Sequence, residues 1–242
     1  IGGDNNSGLM ISGFMNVTGN MASGLHFSGI ANITGQSFGG LMTSGLLNVV
    51  GEHMNGLQIA GIANITASKL NGVQVALCNY ATKARGLQIG LVNYYKEDMK
   101  GFQLGLVNAN PDTKVQMMVY GGNATPANIG VRFKNQLFYT ILGVGSMYQG
   151  LNDKFSASAS YRAGLSFPLY KGLSISGDLG YQHIEAFDNK DEVIPKRLYA
   201  LQARANLEYQ FTKKFGIFAT GGYGLTRFYN KSSNYDKGAI IE

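Results

Sequence analysis

The sequence predicts an all-β chain, an antiparallel transmembrane β-barrel of about 14–16 strands. Three observations predict it. The first is strict alternation in the C-terminal half. Leu173, Ile175, Gly177, Leu179 and Tyr181 are apolar or small, while Ser174, Ser176, Asp178, Gly180 and Gln182 between them are small or polar. Successive Cβ atoms of a strand point to opposite faces, so such a segment has one apolar face and one polar face. The second is composition. Only 14 % of the 242 residues are charged and 34 are Gly, against ~25 % charge in an ordinary soluble domain. No apolar run reaches the ~18–20 residues of a membrane helix. The third is a repeat over residues 1–112 whose units have strand length.

Taken in order, residues 1–112 form a seven-fold β repeat of 14–16 residues, with units beginning near Gly8, Gly24, Gly40, Gly56, Gly72, Gly86 and Gly101. Self-similarity of fixed period decides architecture, and two architectures fit. In one, each unit is a barrel strand. Leu25, Phe27, Gly29, Ala31 and Ile33 alternate with His26, Ser28, Ile30, Asn32 and Thr34, and Glu52 is the sole formal charge between Ser7 and Ser68. In the other, each unit is one coil of an N-terminal β-solenoid that precedes an 8-stranded barrel. Asn16, Asn32, Asn48, Asn64, Asn79, Asn93 and Asn108 recur as a stacked amide ladder would require. Gly13, Gly29, Gly45 and Gly61 suit corners, and the shortening between Ala60-Gly61 and Gly90 would flip the faces of a straight strand. The low charge favours one continuous barrel.

Residues 113–242 read as membrane β-barrel strands: Val115–Gly122, Ala127–Lys134, Leu137–Tyr148, Phe155–Phe167, Leu173–Ala186, Leu198–Phe211, Phe215–Tyr229 and a start at Ala239. Pro168–Gly172 and Thr212–Lys214 are tight turns. Gln149–Lys154, Phe187–Arg197 and Asn230–Gly238 are longer polar loops, the outer-membrane alternation of turns and loops. The chain stops at Ile240-Ile241-Glu242 within a strand, so its C-terminus is expected to be incomplete; no leader is visible at Ile1, and it is expected either to have been removed or to lie further back in a longer precursor.

Gly56-Leu-Gln-Ile-Ala-Gly-Ile-Ala-Asn64, Gly86-Leu-Gln-Ile-Gly-Leu-Val-Asn93 and Gly101-Phe-Gln-Leu-Gly-Leu-Val-Asn108 resemble the units of bacterial outer-membrane surface-repeat proteins. The resemblance implies location in the outer membrane of a double-membraned bacterium and no catalytic residues.

The candidate site is the polar strand face. Arg162 and Asp178 are expected to lie directly opposite each other, with Arg204 at similar depth and Glu208 and Arg132 facing the same way. Lumen side chains of this kind tune selectivity, so these five residues are expected to line a pore. In a narrow barrel the same groups only fill the interior. His26, His53 and His183 lack partners at metal-ligand spacing, so no metal is expected. His183 lies on the strand face opposite Ser174 and Ser176, which excludes a nucleophile–base pair. Cys78 is single, so there is no internal disulfide. The net charge of +6 is dispersed, and no nucleic-acid surface is expected. Tyr94, Tyr95, Tyr148, Tyr170, Tyr209, Phe211, Phe228 and Tyr229 fall near strand ends, where membrane girdles sit.

The functional expectation is therefore a non-enzymatic, porin-like passive channel for small polar solutes, without cofactor. The alternative is a non-conducting structural or adaptor subunit of a larger outer-membrane complex. Expected partners are outer-membrane lipid and other outer-membrane proteins.

Overall fold

The structure is a computed structural model that describes residues 3–122, 125–146, 156–187, 197–212, 214–229 and 240–241. Its regular structure is all β. The chain divides into two compact units between Thr113 and Lys114.

The first unit corrects the expected antiparallel barrel. Its strands are β1 (Asn5–Ser12), β2 (Met15–Thr18), β3 (Met21–Ser28), β4 (Ala31–Thr34), β5 (Ser37–Ser44), β6 (Leu47–Val50), β7 (His53–Ala60), β8 (Ala63–Val75), β9 (Cys78–Ile89), β10 (Val92–Leu104) and β11 (Val107–Ala109). Every ladder among them is parallel and joins like positions of successive repeats: Gly8 to Gly24, Asn16 to Asn32, Leu41 to Leu57. Each repeat is thus one coil of a β-solenoid, a long strand followed by a short one. In β8, β9 and β10 the short strand runs on into the next long strand without a break.

Three features of the sequence force coiling. Gly24 sits at φ +107° within β3, and a Cβ there would stand 2.2 Å from the Gly8 carbonyl oxygen of the coil beneath. The repeat therefore needs a glycine where the chain bends under its neighbour. Gly13, Gly29, Gly45 and Gly61 fall between strands, at the opposite corner. The shorter units lose one residue at that corner, where Ala76-Leu77 joins Val75 to Cys78 and Ala60-Gly61-Ile62 joins their counterparts Ile59 and Ala63. The 14-residue unit loses another where Ala81–Lys83 pairs with the longer Thr66–Lys69, and the next unit regains it at Tyr95–Asp98. A deletion at a corner tightens it and leaves every strand face in phase. The low charge that favoured barrel strands has another cause: every Asp, Glu, Lys and Arg of residues 5–109 lies on one flank, at the short-to-long corner and the first three positions of the long strand.

The solenoid core is mixed. Phe38, Met42, Met54, Leu70 and Ala84 form an apolar cluster against Met99, and amide side chains fill the rest.

The second unit is an antiparallel meander of β12 (Lys114–Tyr120), β13 (Ala127–Asn135), β14 (Phe138–Ser146), β15 (Ser156–Tyr170), β16 (Leu173–Ala186), β17 (Arg197–Gln210), β18 (Gly216–Tyr229) and β19 (Ile240–Ile241), paired in chain order. The alternation of the sequence produces these strands, and most ends lie within three residues of the expected ones. Expected boundaries at Tyr148, Phe155 and Ala239, and most of the longer loops, lie outside the described residues. The sheet curls strongly: Tyr120 on β12 and Phe218 on β18 have ring centroids 6.2 Å apart. Among the described residues no ladder joins β12 to β18.

Candidate functional site

The curl of the second unit turns one face of each strand inward, and that face is the polar one. Arg132, Arg162 and Asp178 are buried, while Met117, Leu179 and Tyr223 on the opposite face are 80 %, 71 % and 73 % exposed. This reverses the polarity of a water-soluble sheet protein.

The inward groups form one connected network. Arg132 on β13 makes a two-pronged contact with Glu208 on β17, Nη1–Oε1 2.6 Å and Nη2–Oε2 2.8 Å, and donates from Nε to Gln116 at 2.8 Å. Ser176 donates to the same Glu208 at 2.9 Å. Beside this pair, Asp178 accepts from Arg204 Nε, from Tyr139 Oη and from Asn206 Nδ2, each at 2.9 Å. Thr220 donates to Asn206 at 2.7 Å. The Arg132 guanidinium lies 5.4 Å from the centroid of the Tyr139 ring. Charges withdrawn from water need this density of partners.

Inward glycines provide room for the long side chains. A Cβ on Gly164 would meet the Tyr139 ring at 2.7 Å, one on Gly180 the Arg162 Cγ at 2.7 Å, and one on Gly222 the Arg204 Cγ at 2.8 Å. These side chains therefore lie across the interior over their neighbours' bare backbone. The void left among Tyr120, Arg132, Tyr139, Asp178, Arg204 and Glu208 is about 10 Å³, space for about one water. At the end with the short turns, a cleft of about 560 Å³ lined by Lys114, Gln116, Lys134, Ser174 and Gln210 runs in as far as Arg132 and Glu208.

All five expected residues lie in this unit, but one expected pairing changes. Arg162 lies opposite Gly180, and Asp178 lies between Gly164 and Arg204 in the ladders. The sequence-based register centred the turn near Tyr170, whereas the chain reverses at Lys171-Gly172, both at positive φ, with an irregularity after Pro168. Asp178 therefore pairs with Arg204, and Arg162 is left buried with Nε and Nη1 lacking acceptors. Attention to charge alone missed Tyr139, Ser176 and Asn206, which tie the two ion pairs together. The inward glycines facing long side chains were the available signal.

The remaining candidates are dispersed. His183 is hydrogen-bonded to Glu185 at 3.0 Å. His26 is buried edge-on to Phe38, with a centroid distance of 4.8 Å. Ser176 is committed to Glu208.

The solenoid interior holds a second organised polar array, two amide ladders. Asn16, Asn32, Asn48, Asn64, Asn79, Asn93 and Asn108 bond Nδ2 to the next Oδ1 at 2.8–3.1 Å. Most also donate to a backbone carbonyl, as Asn48 does to Ile59 at 2.7 Å. The Gln of the Gly-Leu-Gln-Ile unit stacks likewise: Gln58, Gln74, Gln88 and Gln103 are joined at 2.8 Å. Met42 and His26 occupy the same position in earlier coils.

No protein-family model, curated protein or solved structure matches this chain.

Proposed function

We propose that the protein is a non-conducting structural or adaptor subunit of a bacterial outer-membrane assembly, with its second unit seated in the bilayer. The observation that carries this reading is the reversed polarity of that unit around a filled interior. Apolar side chains such as Met117, Leu179 and Tyr223 would form an exposed surface far beyond what a soluble monomer presents. Hydrocarbon removes that penalty, and strands closed into a barrel are one of the two ways a chain can cross it. The interior favours closure over conduction. The Arg132–Glu208 pair crosses it from β13 to β17, Arg204 and Asp178 fill it from adjacent strands, and the adjoining void is water-sized. The repetitive surface of the solenoid supports the adaptor role, since a repeat presents one motif at regular intervals.

The test has two readouts. The protein is expected to stay with bacterial membranes through an alkaline carbonate wash, to need detergent for release and to co-purify with a partner after mild extraction. In planar bilayers the purified protein is expected to be silent. Recovery as a soluble monomer without detergent overturns the membrane seat, and stable unitary conductance steps overturn closure in favour of a porin-like channel.

A further inference from the structure

The solenoid is sided, and its two flanks differ completely. In the fourth coil Leu57, Ile59, Ile62, Ala63 and Ile65 point outward, on the two faces that meet at the Gly61-Ile62 corner. Over all seven coils these five positions hold no charge, and their side-chain oxygens are confined to Thr43, Tyr80 and Tyr94. Stacking at about 4.8 Å per coil makes a band about 29 Å long and about 26 Å around the corner. That is on the order of 700 Å² of continuous apolar surface, where a soluble monomer tolerates a few hundred.

We propose that this band rests in the acyl region of a lipid leaflet, so that the solenoid lies half-immersed at the membrane face. This rests on the outer-membrane reading above and extends it to the first unit. Three observations choose lipid over a protein partner. First, the band stays apolar from coil to coil while its side chains vary in size from Ala31 to Phe102, so no position is a fixed anchor. A protein interface has a polar rim and a few large residues in pockets, whereas hydrocarbon makes no directional demand.

Second, the borders have the chemistry of a headgroup layer. Arg85 and Lys100 stand one residue before the corner glycines Gly86 and Gly101, where the band begins. The last three coils carry Lys69, Lys83, Arg85, Lys96 and Lys100 against Glu97, Asp98 and Asp112, an excess of two cations. Cations of this kind reach anionic lipid while their stems cover apolar surface. On the other border Tyr80 and Tyr94 stack with centroids 5.8 Å apart, and interfacial depth suits tyrosine.

Third, the backbone at the apolar corner is satisfied from coil to coil. Ile30 N donates to Phe14 O at 2.8 Å, Leu46 N to Ile30 O at 3.0 Å and Ile62 N to Leu46 O at 3.0 Å. A corner without such bonds could not enter hydrocarbon.

The test uses the full chain in vesicles of phosphatidylethanolamine and phosphatidylglycerol, with a bimane label on single cysteines in a Cys78→Ser background. Leu41→Cys and Ile62→Cys report on the band, Ser23→Cys and Asn71→Cys on the polar flank, and Leu179→Cys on the outer face of the second unit. Nitroxide on lipid chains is expected to quench Leu41, Ile62 and Leu179 several-fold more than Ser23 and Asn71, and iodide the reverse. Iodide quenching at Leu41 and Ile62 overturns the inference. Protection of both sites from both quenchers also overturns it, and cross-linking that rises with protein concentration would then assign the band to a second copy of the chain. Leu179 separates the two readings: lipid quenching there with none on the band leaves the membrane seat of the second unit intact. In the Arg85→Glu/Lys100→Glu variant, lipid quenching of the band is expected to fall several-fold. No change would overturn the role of the basic border.

Discussion

Both units hide polar side chains and show apolar ones, yet they fill their interiors with different chemistry. Strand direction explains why. In the parallel solenoid each residue lies over its own counterpart, so a row of buried polar groups is best satisfied by residues that can bind copies of themselves. Asn and Gln can, since a carboxamide carries donor and acceptor together. A stack of Arg or Glu would set like charges about 4.8 Å apart. In the antiparallel unit each residue faces a different one, so Asp178 can lie against Arg204. Repetition selects amides, and alternation of direction permits ion pairs.

The comparison can be broken most severely at the stacked glycines. Gly72→Ala would put a Cβ 1.9 Å from the Gly56 carbonyl oxygen at φ +139°. A loss above about 4 kcal/mol is expected, read as proteolysis of residues 1–113 while the second unit stays protected. Next is Asn64→Asp, which removes the donor to Asn79 and places a carboxylate among buried amides. It is expected to cost about 3–5 kcal/mol, with Asn64→Ala nearer about 1–3 kcal/mol. Thermal unfolding of both variants would show the order, and equal losses would refute the claim that self-complementarity matters. In the second unit Glu208→Ala leaves Arg132 buried without its partner, and about 3 kcal/mol is expected from unfolding in detergent. The double variant Glu208→Leu/Arg132→Met should recover most of it. An equivalent pair of apolar substitutions has no meaning inside a ladder, where every member between Asn16 and Asn108 has two neighbours.

The smallest expected effect is on pH. Burial lowers the pKa of His26 below its ordinary value. The unfolded chain therefore takes up the proton first, and stability is lost as pH falls below the unfolded value of about 6.5. His26→Met, which matches Met42 one coil on, is expected to flatten that dependence between about pH 6.5 and pH 5 in the solenoid's thermal midpoint. An unchanged slope would show that another group is responsible.

Strand positions in the second unit were legible because period-two alternation is a local signal that needs no knowledge of partners. The Gly-Leu-Gln-Ile-Gly-Leu-Val-Asn unit was equally legible as a repeat, but not the direction in which its strands pair. Alternation within Leu25–Thr34 is the same in a parallel coil and an antiparallel hairpin. Direction was encoded in Gly24 and Asn32, whose roles appear only when the coil beneath is in place. In the candidate site, Arg132, Asp178, Arg204 and Glu208 were visible as inward charges. Their partnership depended on a hairpin register that Lys171-Gly172 sets two residues away from the simplest placement, and so Arg162 was paired wrongly.

The asparagine row also has a direction. Each carboxamide donates toward the later coil, from Asn16 through to Asn108. When the spiral grows from its N-terminal end, every new turn thus brings an oxygen to an N–H already waiting on the finished part. Turns can be added in chain order, and no earlier bond has to open to admit the next.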